Sequence, residues 1–277
     1  VQLVLSYVSI PPEEIISDLM QTYAAIPSDY INLVNWTAET TEYLGRTYTG
    51  HIAEPTAVSD LVNEILEQAA ISVWWDELGS KIRLQVLRDV TKNSQTITDD
   101  LILAESFTQK DQPSKRVSQV WTYYGQINPL ESLDDPTNYR NTLSTVNLES
   151  ETNHGSPSIK QIYSRWIPQF GRTTAERLNN LLLGRYAEPP KLFSYKLLRD
   201  SGIINPALGA GYNLQSYMNQ GFDGSAVVTP CQAISVTPDS SKFTIQAEEV
   251  LISDVVEPIN PTVKVVSIDS DTFNFNL

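Results

Sequence analysis

The chain has 277 residues, of which 41% are hydrophobic and 19% are charged, and its formal net charge is -14. The hydrophobic share is near the globular average and excludes wholesale disorder, and the excess of acids argues against a groove that grips a nucleic-acid backbone, since phosphate binding needs clustered Lys and Arg. An acidic wall would instead repel phosphates, so the charge is compatible with a channel that nucleic acid crosses without sticking.

Residues 1–89 predict a small domain of helices and one hairpin. Val1 to Tyr7 predicts a strand, and the proline pair that follows suits the first turn of a helix. Asp29 to Gly50 is polar and predicts no regular element. A second amphipathic helix, with apolar residues at spacings of three and four, leads into a hairpin. The strands of that hairpin are Ile71 to Trp75 and Lys81 to Leu87.

The segment that follows predicts one strong strand between two weakly patterned stretches. Residues 90–112 are interpreted as a connection, with one candidate strand at Ile102 to Phe107. Arg116 to Tyr124, RVSQVWTYY, predicts a strand with Val117, Val120 and Thr122 towards one face. Gly125 to Pro157 is rich in Asn, Asp, Ser and Thr, and loops of this length are usually functional or mobile. We expect a surface excursion there, and a subunit contact is one use for it.

Lys160 to Arg199 holds the clearest helix of the sequence. Thr173 or Thr174 can cap its N-terminus, and a double proline stops it. Its apolar residues recur at spacings of three and four, so one face must pack against another element, most simply a sheet. Strands are predicted on either side, at Ile162 to Ile167 and at Leu192 to Leu198.

The C-terminal part predicts three more strands after a turn-rich stretch, Asp200 to Gly224. They cover Ala226 to Thr229, Gln232 to Thr237 and Lys242 to Leu251. Together the elements predict an α+β fold in three parts. These are a small helix–hairpin domain over residues 1–89, a mostly β, barrel-like domain over residues 90–254 with the helix 173–186 packed on it, and a C-terminal edge strand or linker over residues 255–277.

The sequence shows no pattern typical of a cofactor or metal site. Gly209-Ala210-Gly211 resembles a dinucleotide fingerprint, but the third glycine is absent, so we interpret it as a turn. His51 and His154 have no partner at metal-ligand spacing. Cys231 is the only cysteine, which excludes an internal disulfide, and its apolar neighbours predict a buried thiol. We therefore expect no cofactor, no metal and no catalytic residue, and no apolar run approaches the ~20 residues of a membrane span.

Adjacent carboxyl pairs leave other classes of function open. The pairs are Glu13-Glu14, Asp76-Glu77, Asp99-Asp100, Asp134-Asp135 and Glu248-Glu249. Glycoside hydrolysis needs two carboxyl groups facing each other across a cleft, and Trp74, Trp75 and Trp121 could serve as platforms for sugar rings. Neighbours on a strand point to opposite faces, however, so adjacency alone says little. A cell-wall or surface glycan hydrolase is the alternative, and a host-binding module is a third hypothesis.

Charge is unevenly spread along the chain. Before Lys81 the only basic residue is Arg46, whereas the central stretch is rich in Lys and Arg. An acidic lobe beside a basic one could pair between domains or subunits, and two solvated faces are the alternative. The pair Trp74-Trp75 sends one ring to each face of its strand, so one ring belongs in a core and the other can anchor an interface.

Four segments follow one another in a characteristic order. A helix leads into a hairpin with an aromatic pair and an acidic turn at Ile52 to Arg88, and the strand RVSQVWTYYG follows at Arg116 to Gly125. The helix AERLNNLLLGRYAEPP with the strand LFSYKLLRD comes next, and the meander Ala233 to Leu251 closes the series. Their order and spacing over Ile52 to Leu251 resemble the hub proteins of phage tails, which include the baseplate hub of contractile tails and the hub domains of the central tip protein in long non-contractile tails.

The resemblance implies a homotrimer that joins the tail tube to a three-fold tip and surrounds a channel for DNA, whose wall the negative charge would suit. Its partners would be the tube or distal tail protein and a tip or fibre protein, with genomic DNA passing without specific binding. Its location would be the tail tip of the virion, assembled in the host cytoplasm. No tube-like barrel precedes Val1, so we expect the later domains of a longer hub protein.

These observations favour a protein that acts by assembly, without catalysis. The residues we select as interface anchors or charge partners are Trp74, Trp75, Arg172, Arg177 and Arg185.

Overall fold

The computed structural model describes residues 5–77, 79–91, 94–199, 207–221 and 223–251. The α-helices in these ranges are α1 (Pro12–Asp18), α2 (Leu33–Tyr43), α3 (Val58–Ala69), α4 (Leu148–His154) and α5 (Arg172–Tyr186). The strands are β1 (Leu5–Ile10), β2 (Tyr48–Ile52), β3 (Ile71–Asp76), β4 (Lys81–Val86), β5 (Gln95–Thr98), β6 (Thr108–Asp111), β7 (Gln119–Gln126), β8 (Tyr139–Val146), β9 (Ile159–Ser164), β10 (Lys191–Leu198), β11 (Gly211–Gln220), β12 (Ala226–Pro238) and β13 (Lys242–Glu249).

The mixed architecture confirms the predicted α+β class, with 28% of residues helical and 40% in strands. The largest sheet has six strands in the order β5-β11-β12-β13-β10-β6. Within the described residues β5 and β6 each pair with one neighbour, so this sheet is open and does not close into a barrel. Three smaller sheets pair β1 with β2, β3 with β4, and β7 with both β8 and β9.

Two hydrophobic cores hold the molecule together. The first combines α1, α2, α3 and the β3–β4 hairpin with β7, β9 and α5. The second fills the inner face of the six-stranded sheet. Residues 117–186 therefore pack with the first 87 residues rather than with the large sheet. The boundaries predicted at 89 and 254 stay predictions, and the predicted C-terminal segment 255–277 lies outside the described residues.

Helix α5 is confirmed, with packing on a sheet as its spacing predicts. Gly171 stands at the N-cap position, and no side chain caps the helix, so the predicted caps Thr173 and Thr174 lie inside it. Its apolar face covers the inner side of β7 and β8. Asn179 is fully buried in that interface, where its amide donates to the carbonyl oxygens of Val120 and Leu143 and its oxygen accepts from the Thr122 hydroxyl at 2.6 Å. This one side chain fixes the register of the helix on two strands.

The long loop predicted for Gly125 to Pro157 is wrong, because this segment contains β8 and α4. β8 pairs antiparallel with β7 and buries Tyr139 at its start. Its residues alternate between partly buried and exposed, but the inward-facing Asn141 and Thr145 are polar, which hides the hydrophobic alternation expected of such a strand. Helix α2 was missed for a related reason: only Trp36 and Thr40 of its polar surface are buried.

Three further predictions about strands need correction. The connection over residues 90–112 supplies both edges of the large sheet, β5 and β6, and Ile102 forms only an isolated bridge to Leu197. The turn-rich stretch contains β11, and the two strands predicted over Ala226 to Thr237 are one continuous strand, β12. In each case pairing with strands distant in sequence overrides weak local propensity.

Glu13 provides a test of the first core. It is 2% exposed, and its Oε2 atom has no hydrogen-bond partner within the described residues. Burial raises the pKa of this carboxyl, an effect that the Thr40 hydroxyl partly offsets. The folded state thus holds a proton more tightly than the unfolded state, and stability falls as the pH rises through the window between the two pKa values. At pH values above the ordinary carboxyl pKa, the buried ionisable carboxyl therefore lowers stability.

Glu13→Gln should therefore raise the free energy of unfolding at pH 7 by about 1 kcal/mol, because it removes a poorly satisfied buried charge. The gain should shrink as the pH is lowered towards the ordinary carboxyl range. Urea unfolding at a series of pH values measures both effects. Glu14→Gln is the control, since Glu14 is exposed in the same helical turn. A loss of stability in Glu13→Gln at pH 7 would contradict the expectation.

Candidate assembly surface

The β3–β4 hairpin sends its two tryptophans to opposite faces, as the strand geometry predicts. Trp75 is 46% exposed, and the edge of its ring system meets Tyr30 at 5.3 Å between centroids and 86° between planes. Trp74 faces the large sheet and is partly buried against Gly209. A β-carbon at Gly209 would lie 2.7 Å from two carbons of that ring. Trp74 thus packs against the turn before β11, and Trp75 is the more exposed member and is available for an interface.

Trp75 belongs to a cluster of exposed apolar side chains that we call the Trp75 patch. Its members are Tyr30, Leu33, Val34 and Trp75, and Val34 is 79% exposed. The segment before α2 is held beside β4 by a bridge between Ile31 and Ile82 and by a hydrogen bond from Lys81 to the Asp29 carbonyl oxygen.

The start of α2 completes the patch. The Asn32 side chain accepts from the Asn35 backbone N–H, so the helix begins at Leu33, and the exposed Leu33 and Val34 follow Tyr30 by three and four positions. A group of exposed apolar side chains of this kind is typical of a protein–protein contact.

Arg172 and Arg177, two of the basic residues selected from the sequence, lie on the first half of α5 in different surroundings. Arg172 is exposed and pairs with Glu176 one turn later at 2.7 Å, a contact of little energetic value. Arg177 is partly buried and donates to the Tyr43 carbonyl oxygen at the end of α2. Burial and the nearby charge of Arg46 lower the pKa of Arg177. Arg177 thus has another guanidinium as its neighbour.

Arg185 lies in the interior and is 2% exposed. Its guanidinium reaches Glu248 of β13 at 3.3 Å, and the same carboxylate accepts from Lys115 and from the Gln112 amide. This cluster joins α5 to the large sheet. Because Arg185 has no exposed surface, we leave it out of the assembly surface.

Acidic and basic segments pair within the chain. Glu64 of α3 contacts Arg165 at 2.9 Å, and Glu67 contacts Lys160 at 2.6 Å. Burial raises the pKa of Glu64, while Arg165 acts in the opposite direction. The uneven charge in the sequence is thus used in part to attach α3 to the segment around β9.

The residues considered for chemistry have structural contacts. Among the described residues no group of three or more His, Cys, Asp and Glu side chains is placed to hold a metal. Asp99 accepts from the Ser216 hydroxyl and the Tyr217 backbone, and Asp135 accepts from Thr137. Cys231 is buried, and burial raises the pKa of its thiol. Gly211, which we interpreted as part of a turn, is the first residue of β11.

The two histidines also have structural contacts. His51 lies 2.9 Å from the Ser6 hydroxyl, and His154 contacts Glu188. Across the described residues, none of the helices combines the length and the apolar character needed to cross a membrane.

Sequence reasoning missed two sets of surface residues. One is the end of the β11–β12 hairpin, where Tyr217, Met218, Val227 and Val228 are exposed beside a bulge. They could not be grouped because β11 was not predicted. The other is Arg46, whose isolation among acids was visible in the sequence but whose neighbour Arg177 is 131 positions away.

Comparison with known proteins finds similarity in structure only. No protein-family model matches the sequence, and no curated protein matches it. Three solved structures are similar in fold. One is a chain of the virion of a native gene transfer agent particle, with a TM-score of 0.54 and 10% identity over 91% of this chain and 50% of that chain. Another is the tail protein from Neisseria meningitidis MC58, with a TM-score of 0.51 and 8% identity over 91% of this chain and 70% of that chain. The third is the 43 kDa tail protein of prophage MuSo2 from Shewanella oneidensis, with a TM-score of 0.48 and 8% identity over 88% of this chain and 66% of that chain.

The first two matches show that the chain has a fold found in tail and virion proteins. At these identities the likeness concerns the fold alone. The chain spans between half and seven tenths of the length of these structures.

Proposed function

We propose that the chain is a structural component of a phage or phage-derived tail, placed at the tip or baseplate hub of the virion. The observation that carries the proposal is the fold, which follows tail and virion proteins over nine tenths of this chain with TM-scores of 0.54 and 0.51. The order of the motifs in the sequence supports the hub position. In this role the protein acts by assembly and catalyses no reaction.

The proposed assembly is a three-fold ring that joins the tail tube to the tip and surrounds the path of the DNA. Its neighbours would be the tube or distal tail protein and a tip or fibre protein. The net charge of -14 supports this, because a negative wall repels phosphates and lets the polymer pass. Copies in a ring meet through two different surfaces, so each protomer needs an exposed patch and a complementary partner face.

The Trp75 patch is the surface we assign to contact between copies. Tyr and Trp are the residues most enriched where interfaces gain their energy, and a ring pair already packed edge to face loses little conformational freedom on binding. Val34 and Leu33 extend the apolar area next to the pair. Arg172 lies on the exposed start of α5 and stays a candidate charge partner at the rim.

We expect the purified protein to form trimers whose dissociation constant rises at least tenfold in the variant Val34→Gln/Trp75→Gln. The reason is that apolar side chains at the centre of an interface each contribute on the order of 1–2 kcal/mol or more. Light scattering over a range of protein and salt concentrations measures the mass, and averaged electron micrographs show whether the assembly has a central hole.

Phe170→Gln is the matched control, since Phe170 is 89% exposed and lies in the loop before α5, outside the patch. It should leave the mass distribution unchanged. If Phe170→Gln dissociates the trimer while the double variant does not, the patch is wrongly assigned. A strict monomer at high concentration would count against the ring itself.

One observation favours a host-binding module of the same particle as a second candidate. The outer face of the β8–β7–β9 sheet carries Trp121 and Tyr163, both partly exposed, and Tyr163 stacks on Tyr123 at 4.7 Å. Flat aromatic faces of this kind suit sugar rings, so a monomeric protein would make a carbohydrate-binding screen the next experiment. The glycan hydrolase alternative has no comparable support, because the adjacent acids Asp99, Asp135 and Glu248 are engaged in structural contacts.

A further inference from the structure

Arg46 and Arg177 lie side by side at the C-terminal end of α2. Both line one narrow depression together with Tyr48, Gln68 and Thr174. Arg46 follows the helix directly, and Arg177 reaches it from α5. Two elements of the first core therefore hold two guanidinium groups at one place on the surface.

Neither arginine has a carboxylate partner within the described residues. Each makes one hydrogen bond there, Arg46 to the Gly45 carbonyl oxygen and Arg177 to the Tyr43 carbonyl oxygen. The Nε atoms of both are buried and have no hydrogen-bond partner in that part of the chain. A guanidinium has five N–H donors in a planar fork, so most of the donors of this pair are unused.

This arrangement contrasts with that of five other arginines, whereas Arg116, Arg140 and Arg199 are likewise in no ion pair among the described residues. The arginines found in ion pairs are Arg83, Arg88, Arg165, Arg172 and Arg185. With 33 acids against 19 bases, carboxylates are in excess, yet the first core places two positive groups against each other. Their repulsion is an energetic cost that a bound oxyanion between them would remove.

We propose that Arg46 and Arg177 form a receptor for a carboxylate group supplied by a second copy of this chain. A carboxylate accepts two parallel N–H donors from a guanidinium, and such charge-assisted contacts are about twice as strong as neutral hydrogen bonds. A protein carboxylate is favoured as the occupant because Asp and Glu outnumber Lys and Arg by 33 to 19, so the surface of a second copy is rich in carboxylates.

The identity of the occupant rests on the proposed assembly, and the receptor itself does not. The Trp75 patch lies at the start of α2, and the arginine pair lies at its end, about 16 Å away for a helix of 11 residues. One helix thus presents an apolar anchor and a charged one, which together would fix the orientation of a neighbouring copy.

The test uses glutarate as the carboxylate probe and follows the arginine Nε–H signals by NMR at constant ionic strength. The Arg46 and Arg177 signals should shift in a saturable way, with a dissociation constant in the millimolar range typical of a small ligand. Arg46→Gln and Arg177→Gln should each weaken glutarate binding about tenfold or more, since a charge-assisted contact is lost. Arg177→Lys keeps the charge and loses the fork, and should also weaken binding.

Arg140→Gln is the control, because Arg140 is an exposed arginine of β8 and belongs neither to the Trp75 patch nor to the Arg46–Arg177 pair. Uniform small shifts of all arginine signals, or equal effects of glutarate and chloride, would overturn the receptor. Tighter binding of inorganic phosphate than of glutarate would overturn the choice of carboxylate.

Light scattering of the same variants separates the receptor from the assembly. Weaker association of Arg46→Gln than of Arg140→Gln supports a carboxylate from a second copy. Unchanged association in all variants overturns that occupant. Glutarate binding by a protein that stays monomeric overturns the proposed ring and leaves the receptor supported.

Discussion

Glu248→Ala should lower the free energy of unfolding by about 3–5 kcal/mol, because it leaves the buried charge of Arg185 without a partner. Glu248 is the shared acceptor of Arg185, Lys115 and Gln112, and both Arg185 and Glu248 are almost fully buried. The Nε and one terminal nitrogen of Arg185 have no other hydrogen-bond partner within the described residues. Truncating the carboxylate therefore removes the main compensation for a desolvated guanidinium.

Chemical unfolding of Glu248→Ala and of three further variants measures how much each side chain of the cluster contributes to stability. Arg185→Met should cost less than Glu248→Ala, since Lys115 is partly exposed and still neutralises Glu248. The double variant Arg185→Met/Glu248→Leu should recover most of the loss, because replacing a buried ion pair with apolar groups is often neutral. Glu176→Ala breaks the exposed pair with Arg172 and should change stability by less than about 0.5 kcal/mol. Equal effects of Glu248→Ala and Glu176→Ala would show that the buried cluster contributes no more than a surface pair.

The same cluster shows where sequence reasoning about charge stops. Arg185 belongs to the basic central stretch of the sequence, from which we selected it as an interface anchor or charge partner. Its burial depends on β13, which lies more than 60 positions later and brings Glu248 to the same point. No pattern near Arg185 contains that information. Arg177 differs, since it stays at the surface and its neighbour Arg46 stood out in the sequence as an isolated base.

Elements whose pattern is local were predicted well. Helix α3 and the β3–β4 hairpin follow each other directly, so periodicity, turn and pairing are all contained within about 30 residues. Helix α5 has apolar residues at helical spacing and two prolines at its end. By contrast, β5 and β11 pair in parallel although more than 100 residues separate them. Such a pairing is decided by the assembled sheet and not by local propensity.

The candidate assembly surface was likewise predictable from the sequence only in part. The sequence indicated that one ring of the Trp74-Trp75 pair would be available for an interface, because strand neighbours face opposite sides. It could not show which ring, since Trp74 is covered by Gly209, in the turn before β11. Nor could it show the contact of Trp75 with Tyr30, 45 positions earlier. The patch exists because α2, which was not predicted, begins beside the hairpin.

Gly211→Ala should destabilise the protein by about 3 kcal/mol, near the upper end for overpacking, because no space exists for a methyl group there. A β-carbon at Gly211 would lie 1.9 Å from the carbonyl oxygen of Val90 and 2.4 Å from its carbonyl carbon. Both contacts are to backbone, so no side chain can rotate away. Relief requires the segment before β5 to move, and β5 carries Ile97, which is fully buried in the second core.

Gly184→Ala is the matched comparison, since it makes the same chemical change with the opposite expected sign. Gly184 lies in α5, and a β-carbon there meets no atom within 4 Å. Alanine should raise the free energy of unfolding by at most about 1 kcal/mol, because it lowers the backbone entropy lost on helix formation. Thermal unfolding of both variants measures the difference, and hydrogen exchange of β11 shows whether the Gly211→Ala loss is local. A neutral Gly211→Ala would mean that the approach of Val90 is not retained in solution and that β5 is attached loosely to the sheet. A large loss of hydrogen-exchange protection confined to β5 and β11 would mean that the second core unfolds most easily at this edge. The reason is that β5 pairs with the sheet through only four residues on one side.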